Sequence, residues 1–522
     1  MIQSIDYAAI APPLILALMA GAVLLLDAFL PRTGRTRTAL GLLTLAGVLG
    51  ALVAVVAQAV RGKRLGTFCA PDLGGHEGGA ACSFVVDDIT LVFGAVVLAA
   101  AVVVVLLSMA QLADRTIPPG EWYFLLLCTF TGAVTLPASR DLIMLVVALE
   151  LVSLPVFALA ALKRYDARGS EAALKLFLVS VISTAVMLFG VSLLYGLTGA
   201  VHLERIGARL PVSPSAFPHL FDAAAAEASG LTVAGPAGTP GQAPAGVLTV
   251  AVVLVLAGFA FKVAAVPFHF WAGDVYQGAP VPVAALLSVI SKAAGFAGLI
   301  LVLTTALAGQ AGLWAPIVAI LAALTMTVGN LLALRQRHVV RLLAWSSVAQ
   351  SGYILAPLSV AGKSAVSASI AYIAIYAAMN IGAFAVVMAV SRTAERNELE
   401  DYRGLAFRAP VPALALGFFL ICLAGLPPGL AGMFAKIVVF REIVQGGGGW
   451  LAVVMAVNTV IGLYYYISWT ARLFLPAEAA GPAPGAPARG ALSPAVTIAL
   501  ALGLAASVAF SVAPQLVFSI AG

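Results

Sequence analysis

The chain has 522 residues, of which 62% are hydrophobic and only 10% charged, and its mean hydropathy is +1.07. Water-soluble globular proteins carry roughly 25% charged residues, so a soluble fold is excluded. The 28 Lys and Arg behind the net charge of +6 are explained by membrane topology better than by nucleic-acid binding.

In chain order, the N-terminal MIQSIDYAAIAPPLILALMAG has no basic stretch ahead of its apolar run, which continues to Leu30. It reads as a retained first span and not as a cleaved signal. Runs long enough to cross about 30 Å of hydrocarbon predict fourteen helices near 8–30, 38–60, 86–112, 119–137, 141–162, 171–197, 246–270, 278–305, 313–334, 341–361, 364–391, 409–444, 449–473 and 493–519. The fold class is all-α, a polytopic bundle in the lipid bilayer. It divides into helices 1–3 (residues 1–118), helices 4–8 (119–305), helices 9–13 (306–475) and a linker with helix 14 (476–522). Run 12 is too long for one span and contains Gly425, Pro427 and Pro428, which predicts a helix broken inside the membrane. Irregular backbone is tolerated at that depth only when it faces protein or water.

Loops after odd-numbered helices hold sixteen Lys and Arg, and loops after even-numbered helices hold seven. The richer set faces the cytoplasm by the positive-inside rule, which puts both termini outside. Two outer loops are long. One, CAPDLGGHEGGAAC, brings Cys69 and Cys82 together on the oxidising side, where they form either a disulfide or two free thiols. The other, near 198–245, is rich in Ala, Gly and Pro and reads as a flexible exposed segment. Cys128 and Cys422 fall in apolar helices as packing residues, and no cysteine spacing suits a metal or cluster site.

A charged side chain at the bilayer centre costs about 2.5–3.5 kcal/mol and commonly marks an ion path. Glu150, Lys175, Lys262, Lys292 and Lys436 all lie inside predicted helices. Lys175 suits a snorkelling residue near a helix end. Glu150 and Lys262 fall at similar depths, and Lys292 lies near the midplane. Pro267 follows Lys262, and Pro427 and Pro428 precede Lys436. A proline frees carbonyls that water or a lysine can bind. Broken helices 7 and 12, five spans apart, predict that helices 4–8 and 9–13 are inverted repeats around a transport path. His269, near the cytoplasmic end of its helix, is either a proton-uptake group or a hydrogen-bonding cap. Asp274 reads as a turn or N-cap. Tyr464, Tyr465, Tyr466 and Trp469 read as an interfacial aromatic belt.

At FKVAAVPFHFWAGDVYQGAPVPVAALLSVISKAAGFA (261–297) the sequence resembles the proton-pumping, antiporter-like membrane subunits of respiratory complex I, and among them the subunit N family of NADH-quinone oxidoreductases. SRDLIMLVVALELVSLPVFAL (139–159), EAALKLFLVS (171–180), LLALRQRHVVRLLAWSSVAQSGY (331–353) and GLPPGLAGMFAKIVVF (425–440) carry the same resemblance. It implies a fourteen-helix fold with two inverted five-helix half-channels. Glu150 and Lys262 would be the ion pair of one half, Lys292 the central bridge, Lys436 the key residue of the other half and Lys175 a further lysine of helix 6. Gln350 stands where related sequences often have histidine, so no proton-carrying role is assigned to it.

The resemblance further implies that flavin, iron–sulfur clusters and quinone are held by partner subunits and that no cofactor binds this chain. The partners are other complex I membrane subunits and, through them, the peripheral NADH-oxidising arm, in a bacterial plasma membrane. A nearby carboxylate favours a protonated lysine and burial disfavours it. Moving Glu150 toward and away from Lys262 would therefore switch that lysine between holding and releasing a proton. The alternative is a Mrp-type cation/proton antiporter subunit, which shares the lysine and glutamate framework.

Overall fold

A computed structural model describes residues 5–31, 33–70, 81–114, 116–163, 166–211, 245–392, 394, 396–476 and 493–517. Most of these residues are helical. We label the helices α1 (Ala11–Phe29), α2 (Gly34–Arg61), α3 (Asp88–Gln111), α4 (Pro119–Thr135), α5 (Leu142–Ala161), α6 (Ala167–Thr198) and the short α7 (Leu203–Arg209). They continue with α8 (Ala245–Lys262), α9 (Trp271–Gly278), α10 (Val281–Ala306), α11 (Ala311–Leu334) and α12 (Val339–Leu358). The last five are α13 (Lys363–Ser391), α14 (Pro410–Ala424), α15 (Leu430–Gln445), α16 (Gly449–Phe474) and α17 (Pro494–Val512). Among the described residues, ten helical stretches are each long and apolar enough to cross a membrane, and the chain is a multi-pass membrane protein.

Every predicted run is occupied by helix, and local chemistry sets the ends. Side chains of Thr33, Asp87, Asp141, Asp166 and Ser493 accept from the first-turn N–H groups of α2, α3, α5, α6 and α17, satisfying donors that have no partner in the helix. Lys363–Ser391 and Val281–Ala306 are the most enclosed helices, whereas α1 and α6 lie at the periphery. Leu287–Ser291, within α10 and directly before Lys292, is a π-helical turn, a widening often found at functional sites.

Runs 7 and 12 are broken. Helix α8 ends at Lys262, irregular backbone follows with a cis Val266–Pro267 bond, and α9 starts at Trp271. Helix α14 ends at Ala424, passes Gly425 and a cis Pro427–Pro428 bond, and resumes as α15. The expected flexible stretch of the 198–245 loop falls on 212–244, outside the described residues.

Among the described residues, one element departs from an all-helical fold. Strands β1 (Leu65–Ala70) and β2 (Ala81–Val86) form an antiparallel ribbon with Cys69 opposite Cys82, and the two sulfurs are bonded. Of the two thiol states open from sequence, the structure holds the disulfide. The ribbon docks on the α4–α5 turn, where Arg140 N–H donates to Ser83 O at 2.8 Å and the Arg140 guanidinium contacts Asp87 at 2.5 Å. Burial alone would raise the Asp87 carboxyl, but the Arg140 charge and hydrogen bonds from Arg140 and Thr90 hold it below the usual carboxylate range. Its stabilisation is thus fully present above the ordinary value of 3.8 and is lost only as pH falls through the lower folded value. Thiol labelling of unfolded, unreduced chain should reach Cys128 and Cys422 alone. Labelling of all four cysteines would remove the disulfide.

Two pairs of turns are clasped by the same pattern of bonds. Leu142 N–H donates to Val201 O and Leu203 N–H to Arg140 O, both at 2.9 Å, tying the α4–α5 turn to the segment after α6. Val339 N–H donates to Asn397 O at 3.0 Å and Leu399 N–H to Arg337 O at 2.8 Å, tying the α11–α12 turn to the segment after α13.

Candidate functional site

The polar residues gather along the two breaks and α12. On α5, Glu150 accepts from Thr184 Oγ1 of α6 at 2.7 Å. One turn further along α5, Ser153 Oγ receives the ammonium of Lys262. The implied ion pair is therefore seen in a separated arrangement: the carboxylate is held by a hydroxyl of α6, and the ammonium by a hydroxyl of α5 three residues beyond Glu150.

The first break is stapled by the following helices. Val263 O accepts from Ser351 Oγ of α12 at 2.7 Å, and Val266 N–H donates to Thr325 Oγ1 of α11 at 2.9 Å. Backbone groups released by the break find partners, as they must inside a bilayer. Ser351 Oγ also lies 3.2 Å from Ser347 O, which leads to the central lysine. Lys292 is 3% exposed; its Nζ donates to Ser347 Oγ at 2.6 Å and to Ser347 O. Tyr376 of α13 donates to the same hydroxyl at 2.8 Å.

From there the network runs on through aromatic hydroxyls. Ser346 shares a hydrogen bond with Tyr466 of α16, Gln350 Nε2 donates to Tyr466 at 3.2 Å, and Tyr372 donates to Gln350 Oε1 at 2.6 Å. Tyr372 stacks on Tyr353 with ring centroids 6.2 Å apart, and Lys436 Nζ lies 5.5 Å from the Tyr353 ring centroid. At the second break Lys436 donates to Leu423 O at 3.1 Å and Ala424 O at 2.7 Å. These are the carbonyls left over where α14 stops, so the lysine fills the role that the sequence predicts for it. Gly425 makes this possible: its φ is +83°, and a Cβ there would sit 3.3 Å from Lys436 Cδ.

Lys292 thus bonds α12 directly, Lys262 lies next to the Val263 carbonyl that α12 holds, and Lys436 faces the Tyr353 ring of α12; two sequence-predicted residues lie elsewhere. Lys175 is 44% exposed, paired with Glu171 at 2.7 Å and Asp274 at 2.9 Å, in keeping with a snorkelling residue. The turn or N-cap reading of Asp274 is a correction: it lies inside the first turn of α9, whose N-cap is Phe270, and it pairs with Arg341 of α12 at 3.0 Å as well as with Lys175. His269 sits inside the first break with its ring 5.7 Å from that of Trp345, and its Nδ1 is buried without a partner.

The aromatic belt is a correction. Tyr464 is 69% exposed, but Tyr466 is 1% exposed and Tyr465 and Trp469 are buried, with both tyrosines hydrogen-bonded inside the bundle. A helix running between lipid and core presents successive residues to both, and three adjacent tyrosines cannot share one environment. Sequence reading also missed Ser153, Thr184, Ser347, Tyr353, Tyr372 and Tyr376. The available signal was polar residues three or four apart in apolar helices, as in Ser346, Gln350 and Tyr353.

Comparisons with known proteins give the chain its family. Residues 139–462 match the family described as NADH:quinone oxidoreductase/Mrp antiporter, TM. A Streptomyces griseus protein named NADH-quinone oxidoreductase subunit N 2 is 48% identical over 100% of this chain and 94% of its own length. A Salinispora tropica NADH-quinone oxidoreductase subunit N is 41% identical over 91% of this chain and 86% of its own. A chain of respiratory complex I from Thermus thermophilus superposes with a TM-score of 0.73 at 30% identity, covering 97% of this chain and 98% of that one. A chain of the Mrp complex from Dietzia shares the fold, with a TM-score of 0.78 at 21% identity over 99% of this chain and 96% of that one. The chain belongs to the NADH:quinone oxidoreductase/Mrp antiporter transmembrane family and, within it, to the subunit N branch.

Proposed function

We propose that this chain is the proton-translocating subunit N of an NADH:quinone oxidoreductase, moving protons through Glu150, Lys262, Lys292 and Lys436 as electrons pass through partner subunits. The observation that carries this reading is the placing of three intramembrane lysines, Lys262 and Lys436 at the two helix breaks and Lys292 between them, around the serines and tyrosines that meet on α12. A lysine ammonium in hydrocarbon is costly, and three set along one polar region are poor structural glue but suitable stations for a proton. Flavin, iron–sulfur clusters and quinone belong in this reading to the partners, and the translocase activity belongs to the whole complex.

The two turn clasps support the inverted-repeat reading of 119–305 and 306–475. They have the same bond pattern and are separated by an odd number of crossings, which would set them on opposite membrane faces. The loop count of basic residues supports an orientation with both termini outside.

The decisive test is mild-detergent purification of the tagged chain from its native membrane. Co-purification of flavin- and iron–sulfur-containing chains with NADH-driven quinone reduction is the expected result. Recovery with antiporter chains alone, with cation-dependent proton exchange and no NADH activity, would establish the Mrp-type reading instead. A second test addresses the second break. Gly425→Ala forces a left-handed backbone onto an L-residue, about 1–2 kcal/mol of strain, and crowds Lys436. Proton pumping by the assembled complex should fall about fivefold to thirtyfold, as strain of that size predicts. Pumping at the parental rate would show that Lys436 need not dock on the break.

A further inference from the structure

A small cavity beside Lys262 indicates what holds that lysine while Glu150 is turned to Thr184; the inference rests on the translocation reading and deepens it. The cavity, of about 20 Å³, lies among α5, α6, α8, α9 and α10, and its polar lining is Ser153, Ser180, Lys262, Trp271 and Ser291. That is room for one water molecule. Ser180 is 1% exposed, and its hydroxyl has no hydrogen-bond partner; the indole N–H of Trp271 has none either. Ser192 and Thr198 on the same helix donate to the carbonyl four residues back. Ser180 does not, so its hydroxyl is left available to the cavity it lines.

The setting forms two rungs. Glu150 and Ser153 are three residues apart on α5, and Thr184 and Ser180 are four apart on antiparallel α6. One rung is the Glu150–Thr184 hydrogen bond, and the other is Ser153 with Lys262 facing Ser180 across the cavity. We infer that the cavity is a binding site for a single water molecule, held between the Lys262 ammonium and the Ser180 hydroxyl. The water accepts from Lys262 Nζ and from the Trp271 N–H, and donates to Ser180 and Ser291. A buried water of this kind makes about three such bonds, and here it satisfies groups that the protein leaves unpaired. It also gives the ammonium a neutral second partner beside Ser153, so Lys262 can be released by the carboxylate without losing its hydrogen bonds.

Two measurements test the site in the assembled complex. A cryo-electron microscopy map in lipid nanodiscs that resolves waters should show a peak within hydrogen-bond distance of Lys262 Nζ and Ser180 Oγ. No peak in such a map would overturn the site, and this readout does not depend on whether the chain pumps. Ser180→Thr keeps the hydroxyl but adds a methyl group that fills the cavity, whereas Ser180→Ala removes the hydroxyl and leaves the space. Pumping should fall about tenfold in Ser180→Thr and about threefold in Ser180→Ala, the order expected if the water carries the contact and one hydrogen bond is worth less than the whole set. Parental pumping in Ser180→Thr, or an equal fall in both variants, would overturn the water site.

Discussion

Lys292→Ala is expected to leave the chain inserted and assembled while NADH-driven quinone reduction and proton pumping fall at least about a hundredfold, the low end of what a positioned proton-transfer group contributes. The ammonium sits at the crossing of three elements. It enters from α10 directly after the π-helical turn, bonds Ser347 of α12 and lies 6.0 Å from the ring of Tyr376 on α13. Ser347 reaches the first break through Ser351, while its neighbour Ser346 opens the tyrosine path toward Lys436. Removing the amine therefore takes away the station that lies between the two lysines at the breaks, although each of those keeps its own hydrogen bonds. Lys292→Met, which fills the volume without the charge, should behave like the alanine variant and separates loss of the proton station from loss of packing. At the far end, Lys436→Arg should rescue poorly, because arginine stays protonated and cannot release. An assembled Lys292→Ala complex that pumps normally would sink the central-relay role.

The switch residues should give the second large effect. Glu150 and Lys262 are held apart by Thr184 and Ser153, yet the three-residue spacing of Glu150 and Ser153 puts both on one face of α5. A side-chain rotation of the carboxylate could thus exchange Thr184 for Lys262 with no movement of the helix. Glu150→Gln keeps the shape and the hydrogen bond from Thr184 but removes the charge that attracts the ammonium. Lys262→Met removes the other partner and leaves a carboxylate in an apolar setting, the costly half of a broken pair. Both should reduce pumping by about tenfold or more, whereas Glu150→Asp, one methylene shorter, should retain part of it. Measuring pumping and quinone reduction in assembled complexes of all three decides the matter. If Glu150→Gln pumps as the parent does, Glu150 is only a structural partner and the switch is wrong.

The helices were legible because apolar length is a strong signal and the breaks announced themselves as glycine and proline inside apolar runs. The titratable residues were legible for the same reason, since a lysine within hydrophobic sequence has no cheap explanation. What links them was harder to see. Ser347, Tyr376 and Tyr466 are ordinary residues for a membrane helix, and only the crossing of α10, α12, α13 and α16 turns them into a connected path. Tyr466 was misread because three consecutive tyrosines resemble an interface anchor until the rotation of α16 is fixed. The ribbon of β1 and β2 was hidden by the glycine-rich loop between the cysteines, which carries no strand pattern of its own.

The staple at the first break sets a limit on modularity. Val263 O and Val266 N–H are satisfied by Ser351 and Thr325, and both hydroxyls belong to residues after position 306. A gene fragment ending there would leave two backbone dipoles of its own break stranded in hydrocarbon. Residues 119–305 therefore cannot be lifted out, duplicated or exchanged between relatives without carrying the hydroxyls of Ser351 and Thr325 along.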